Sequence, residues 1–436
     1  MRFVRAIYRA LLPHYARVLI GRARSRFSAF SHQTRRTVGC WKNALRAAAR
    51  TIALRCKFRR RYQGRHVAVA GSFGACSEVG RGAELIARSI EIKGIPVVRV
   101  NISGRGQGSP QNAAMSAAEC ERRGGTVSDL IVVAGPPIFA LALSMFSVRW
   151  LVGRTIVAHL AWELDVVDDD WRSAIQLCDE VWAASEFAGQ ALTPLCEMHS
   201  VPLKVVPYPV DLDPFPPAAI PRRISVRNRL QLADNTYVLG YSFAVSSNYF
   251  RNNPMGAVTA FQTAFPLDEA VRLILRALDG HVYPEGMLEL QRVAAADRRI
   301  MIVEHSSDLS LADFYAAIDL YISPARAEGY GMNIARAAQA GRPIVAVAWS
   351  LANDVLKRRD VTTSGYTLVP VVEDQGDYAT IVGAKWADPD IEDMAGKIIA
   401  ARNLYWDALY STPVSEDSQW ILQALNCRAG QATASG

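Results

Sequence analysis

Glu328 stands directly before a glycine-flanked aromatic, Gly329-Tyr330-Gly331. A carboxylate only accepts hydrogen bonds and takes two hydroxyl donors at once, which suits a sugar. The glycines let the backbone turn sharply. A helix is predicted to begin at Met332 and Asn333, and its unpaired N–H groups favour an anion such as a diphosphate. The competing reading makes Glu328 an acid that complements the helix dipole on a solvated loop. Arg251 precedes Asn252-Asn253-Pro254. It is suited to hold a phosphate bidentately, against a plain solvent-facing arginine on a turn. In the first half, Glu163 and Asp165 lie two apart, which on an extended strand places both on one face. Such a pair suggests glycoside hydrolysis, yet acids this close on one short segment more often form a polar rim. His159 sits on the apolar part of that segment, where a buried, hydrogen-bonded histidine competes with a substrate contact. The seven cysteines, at 40, 56, 76, 120, 178, 196 and 427, are odd in number and include no Cys-x-x-Cys. That argues against a disulfide framework or a zinc site and for a reducing compartment.

The elements that must position these residues follow from the apolar runs. Asp319-Leu-Tyr-Ile-Ser323 reads as a buried strand, stopped by Pro324. The helix from Met332 to Ala340 ends at Gly341-Arg-Pro343, and residues 343–348 form the next strand. This βαβ unit puts its glycine loop at the carboxyl end of a strand, where open α/β sheets bind ligands. An equivalent start occurs earlier. His66–Ala70 is a strand, Ser77-Glu-Val-Gly80-Arg81-Gly82 a glycine-rich turn, Ala83–Ile90 a helix and Ile95–Val100 a strand. As a phosphate site this loop alone is weak, because tight strand-to-helix packing explains it equally well. Further strands are predicted at 129–134, 155–165, 180–184, 237–244, 271–275 and 299–303, with Ser185 capping a helix and Pro254 starting one. Six prolines at 207, 209, 214, 216, 217 and 221 mark a linker. The chain therefore divides into an extension (1–65), a first domain (66–210), a linker (211–222), a second domain (223–400) and a terminal helix, expected to cross back onto the first domain, with a tail (401–436).

The Glu328 stretch resembles the Glu-Gly-Phe-Gly segment of retaining nucleotide-sugar glycosyltransferases of family four, which have the GT-B fold. Thr155–Asp165, with Trp162-Glu163-Leu164, Trp171, Asp179-Glu-Val-Trp182 and Ser185-Glu-Phe187, resembles the bacterial polysaccharide and lipopolysaccharide branch. Arg251-Asn-Asn-Pro254 resembles its Arg-Lys-Asn-Pro loop, and the glycine loop at Gly80-Arg81 its acceptor-domain opening. The resemblance implies two Rossmann-like parallel-sheet domains facing across a cleft. It implies Glu328 as the catalytic residue, orienting the donor sugar. Arg251, Asn252, Gly329, Tyr330, Gly331, Met332, Asn333 and Arg336 would line the donor site, and Gly80, Arg81, His159 and Glu163 the acceptor side. No metal or cofactor is implied; the nucleotide sugar is a substrate. Two positions depart from the family pattern. Asn252 replaces the lysine, and Arg336 replaces a second glutamate eight positions after Glu328. Arginine only donates, so it does not reproduce a carboxylate's grip on ribose hydroxyls, a loss of about 1.5–3 kcal/mol. Two expectations follow. One is a retaining hexosyltransferase acting on a polysaccharide or lipid-linked acceptor. The other is a degenerate, membrane-associated relative serving as a binding or assembly subunit.

Of the 49 basic residues, 18 fall in residues 1–65, which hold none of the 41 acidic ones, so the net charge of +8 belongs to the extension and the remainder is net acidic. Phe3, Ile7, Leu11 and Leu12 recur at helical spacing among Arg2, Arg5 and Arg9. A basic amphipathic helix of this kind suits an anionic membrane surface. A nucleic-acid-binding arm, a transit peptide and a solvated extension compete with that reading; the body itself gives no reason to expect nucleic acid. The longest uncharged run, 130–148, is broken by Gly135-Pro136-Pro137 and reads as strand, turn and buried helix. A cytoplasmic protein, peripheral on the inner face of the cell membrane, is expected.

Overall fold

The computed structural model of the protein describes residues 66–410 apart from 74–77, 103–113, 124–126, 136–137, 168–169, 213–219, 234, 359, 373–377 and 379–380. The basic extension, and with it the expected membrane surface, lies outside the described residues.

Two six-stranded parallel sheets carry the chain. The first comprises β1 (His66–Gly71), β2 (Val97–Asn101), β3 (Val127–Val133), β4 (Thr155–Leu160), β5 (Glu180–Ala183) and β6 (Leu203–Val205), in the order β2-β1-β3-β4-β5-β6. The second comprises β7 (Tyr237–Ala244), β8 (Val271–Leu278), β9 (Ile300–Val303), β10 (Leu320–Ser323), β11 (Ile344–Val347) and β12 (Val361–Ser364), in the order β12-β11-β10-β7-β8-β9. All these pairings are parallel. The near-continuous apolar sequences of β3 and β7 are what strands covered on both faces require. The strand order reverses between β1 and β3 in one sheet and between β7 and β10 in the other, the position beside which open α/β sheets bind ligands. A short antiparallel pair, β13 (Tyr366–Pro370) with β14 (Lys385–Pro389), follows.

The domains share packed surface. The ring of Tyr208, at the end of the first domain, lies 5.3 Å from that of Tyr330 in the second. Phe187 meets Trp349 edge-on at 4.9 Å. Leu164 of the first domain joins Ala327, Ala384 and Trp386 of the second in a small buried cluster.

Most strands fall where the apolar runs predict them. Two elements differ. The strand expected over 155–165 ends at Leu160, so Glu163 and Asp165 lie on an irregular segment and share no strand face. The glycine-rich stretch expected as a turn is already helix, since the helix begins at Glu78 and includes Gly80, Arg81 and Gly82. The final helix, Ile391–Tyr410, lies along the second domain, where Arg402 donates to Asp268 and its guanidinium stacks over Phe265 at 5.0 Å. Its main packing partners, the helix Pro254–Ala264 and β10, β11 and β12, all belong to the second domain, whereas a return to the first is expected from the sequence. Among the described residues no helix is long and apolar enough to cross a membrane.

Asp319, at the entrance to β10, anchors the second domain. It is buried, and its carboxylate accepts from Arg227 Nη2 (2.7 Å), from Arg223 Nη2 and from the Val238 N–H (2.8 Å). Burial alone would raise its pKa; the two guanidinium groups and the N–H outweigh it and hold the carboxyl below the usual range. Removing one partner of a buried ionic cluster strands the others, so Asp319→Ala should lower the unfolding free energy by about 3–5 kcal/mol in denaturant titrations at pH 7. Because the folded pKa is depressed, this contribution is complete above the unfolded value of about 3.9 and disappears on further acidification.

Candidate functional site

The loop from Pro324 to Gly331 runs from β10 to the helix Met332–Gln339, and its backbone is bound at nearly every step. Asn253 Nδ2 donates to Pro324 O (3.2 Å), and the Arg326 N–H donates to Arg251 O (2.8 Å). Arg326 O accepts from the Ala387 N–H (2.9 Å), and Ala327 O from Arg251 Nη1 (2.6 Å). The Glu328 N–H reaches Ser350 Oγ (2.6 Å), and Gly329 O accepts from Ser185 Oγ of the first domain (3.2 Å). Tyr330 O takes the Ala352 N–H (3.2 Å). A loop held this way presents its side chains in one fixed geometry.

Gly331 is the N-cap of the helix and lies at φ +92°, in the left-handed region that an L side chain resists; an added Cβ would also lie 2.6 Å from Leu351 Cδ2. No side chain caps this helix start. The Glu328 side chain is 13% exposed, with Oε2 3.9 Å from Arg251 Nη1. Across the interface, a Cβ at Gly329 would lie 3.3 Å from Ala161 Cβ and 3.6 Å from the carboxyl carbon of Glu163, so the first domain packs closely on this glycine. Glu328, Glu163 and Arg251 therefore converge beside an uncapped helix start.

The structure assigns several predicted residues a more structural position than the sequence reading did. Arg251 is buried; its Nε donates to Ser247 O (3.1 Å) and its Nη2 to Ser247 Oγ (3.0 Å), besides the bond to Ala327 O. The Asn252 side chain turns inward to Ala244 O (2.9 Å) and Ser247 Oγ. Tyr330 is buried, and its hydroxyl donates towards Tyr208 O (3.1 Å) and Asp354 Oδ2 (2.5 Å); burial first, then Asp354, raises its pKa. Met332 is buried, while half-buried Asn333 donates to Ser242 O (3.2 Å). Gly80 is buried and Arg81 half-buried on their helix. Burial lowers the Arg81 pKa, and the nearby charge of Arg336 lowers it further. Ser185, Ser247, Ser350, Tyr208 and Asp354 were not singled out as site residues. Ser185 is the helix cap expected from sequence, accepting from the Ala188 N–H, and its reach to Gly329 O appears only once the domains meet.

His159 lies beneath this junction, 1% exposed, with its ring 4.8 Å from that of Tyr208. Its Nε2 faces Val206 O at 2.8 Å, so that nitrogen carries the hydrogen. Of the two readings, the geometry supports the buried, hydrogen-bonded histidine.

Comparison with known proteins now bears on this geometry. Residues 262–384, most of the second sheet domain, match the family model described as Glycosyl transferases group 1. No curated protein matches the chain. Among solved structures, a glycosyltransferase from Rickettsia africae is similar at 14% identity and a TM-score of 0.58, over 84% of this chain and 94% of that one. Anabaena Alr3699/HepE, solved with UDP and glucose, is similar at 16% identity and 0.54, over 85% and 100%. The catalytic domain of Arabidopsis thaliana starch synthase IV, bound to ADP and acarbose, is similar at 12% and 0.55, over 85% and 98%. At these identities the likeness is one of fold, and the fold is GT-B: two Rossmann-like domains across a cleft. With the family match to the second domain, it supports a glycosyltransferase with the GT-B fold.

The position of His159 has a measurable consequence. Burial pushes its pKa down to about 4, against the smaller opposing pull of Val206 O. As pH falls, the unfolded chain takes up the proton first, near pH 6.5. Stability should therefore decline between about pH 6.5 and 4, by roughly 3 kcal/mol from this group. His159→Gln keeps a donor but does not titrate. Denaturant titrations at pH 7 and 4.5 should show a wild-type loss at least ~2 kcal/mol larger than the variant's.

Proposed function

We propose that the protein transfers a hexose from a nucleotide-sugar donor to a polysaccharide or lipid-linked acceptor with retention of configuration, in the synthesis of cell-envelope polysaccharide. One observation carries the reading: Glu328 stands on a loop bonded at nearly every step at the domain junction, beside a helix start that no side chain caps. In this reading the donor diphosphate lies against the amino end of the helix Met332–Gln339, where N–H groups stabilise its charge as it leaves. Glu328 accepts hydroxyls of the donor sugar. The acceptor enters from the first domain, past Glu163. Its hydroxyl oxygen bonds to the anomeric carbon on the face from which the diphosphate departs. The carbon–phosphate oxygen bond breaks, and the hydroxyl proton leaves with the diphosphate. Arg251 acts by holding Glu328 and the loop. The reaction as read needs no cofactor.

The inward-turned Asn252 and Arg251 favour a second reading, a degenerate relative that serves as a binding or assembly subunit. Thermal unfolding with a panel of nucleotide sugars separates the two. The enzyme reading expects a specific donor to raise the melting temperature, the gain to vanish in Glu328→Ala, and that variant to transfer sugar about 100- to 1000-fold more slowly. No stabilisation by any nucleotide or nucleotide sugar leaves the subunit reading.

Residues 1–65, on their composition, are proposed to hold the protein on the inner face of the cell membrane. Co-sedimentation with vesicles rich in anionic lipid should be strong for the full chain, weaken at high salt, and be lost on removal of residues 1–65. Unchanged binding by the truncated chain sinks the assignment.

A further inference from the structure

The Glu-Gly-Phe-Gly segment that the site loop resembles has a phenylalanine where this chain has Tyr330, so the hydroxyl is an addition to a ring that fills the same place. The residue is 1% exposed, and its hydroxyl lies 3.1 Å from Tyr208 O and 2.5 Å from Asp354 Oδ2. A phenol has one hydrogen to give, whereas a carbonyl and a carboxylate only accept. One hydrogen thus faces two acceptors, and the two belong to different domains. Asp354 lies on the short helix Asn353–Leu356 of the second domain. The Ala352 N–H just before that helix bonds Tyr330 O at 3.2 Å, so Asp354 and Tyr330 travel together. Tyr208 sits with the first domain. Its ring meets that of His159 at 4.8 Å and packs so closely on Gly82 that a Cβ there would lie 2.2 Å away. Tyr208 O also accepts from the Val210 N–H at 2.8 Å. Gly329, directly before Tyr330, packs on Ala161 and Glu163. The hydroxyl therefore acts at the contact that spaces Glu328 from Glu163.

We infer that the Tyr330 hydroxyl is a positioning group that passes its hydrogen between Tyr208 O, across the joint, and Asp354, within its own domain. Given to Tyr208 O, the hydrogen holds the domains together and fixes the spacing of Glu163 and Glu328. Given to Asp354, it lets the joint loosen without stranding a buried hydroxyl, which is costly. Asp354 thus makes the closed joint reversible. The use of that spacing in sugar transfer rests on the nucleotide-sugar reading; the two positions of the hydrogen do not.

Hydrogen–deuterium exchange on the full chain tests this, read at the Val210 and Leu212 N–H groups with the amides of β7 as internal reference. Tyr330→Phe removes the hydrogen and keeps the ring, so exchange at Val210 and Leu212 should quicken about 2- to 10-fold. Asp354→Asn should slow it, because the amide donates to the hydroxyl oxygen and commits the hydrogen to Tyr208 O. Asp354→Ala also leaves the hydrogen to Tyr208 O, and it replaces the asparagine variant if circular dichroism shows that one unfolded. In the double variant Tyr330→Phe with Asp354→Asn the slowing should vanish. A purely structural loss would move both single variants in one direction. That result, or exchange equal to wild type in both, overturns the inference. Calorimetry with UDP-glucose, ADP-glucose and GDP-mannose reads the donor site separately. Binding of a nucleotide sugar without the opposed shifts sinks the role of the hydroxyl and leaves the transfer reading standing. Opposed shifts without binding do the reverse, and the absence of both sinks both.

Discussion

The Arg251 guanidinium donates at once to Ser247 of its own turn and to Ala327 of the loop that carries Glu328. It is buried, so these carbonyl contacts take the place of water. Through it the ends of two neighbouring strands, β7 and β10, are locked together at the reversal of the sheet. Every feature of the candidate site lies downstream of that bond: the position of Glu328, the entry angle of the helix Met332–Gln339, and the surface against which Ala161 and Glu163 close. Unpairing a buried cation costs several kcal/mol, which makes the loop rigid without any contribution from a ligand.

Rigidity on the donor side is matched by close contact with the first domain. Ser185 Oγ to Gly329 O, Tyr330 to Tyr208, and Phe187 against Trp349 join the domains near the site. Gly329 eases this approach by being small, since a Cβ there would press on Ala161. The reacting groups come from both sides of this joint, so their spacing depends on how the domains pack as much as on either domain alone.

Much of the scaffold was legible in the sequence. The runs at 237–244 and 344–347 are apolar enough to specify strands buried on both faces, and Pro254 and Ser185 mark helix starts through backbone chemistry that is local. What local pattern does not encode is which side of an element faces another. Arg251 reads as a phosphate ligand from its neighbours in sequence, yet Ala327, 76 residues later, captures it. Glu163 and Asp165 read as one strand face because apolar residues continue past Leu160, but the strand ends there so that Leu164 can enter the cluster around Trp386. Ser77–Gly82 reads as a turn because glycine is a poor helix former; packing of Gly82 on Tyr208 overrides that propensity.

The tyrosine pair at the junction has a consequence for how the chain reaches its native state. Tyr208 and Tyr330 are both buried and their rings meet across the joint, where Tyr330 also uses its hydroxyl. A donor domain made alone would offer Tyr330 and Trp349, which meet Tyr208 and Phe187 of the first domain, to solvent as a sticky face. The halves of this molecule thus mature as a single cooperative body, and a break in the proline-dense connector would leave two fragments that still need each other to remain in solution.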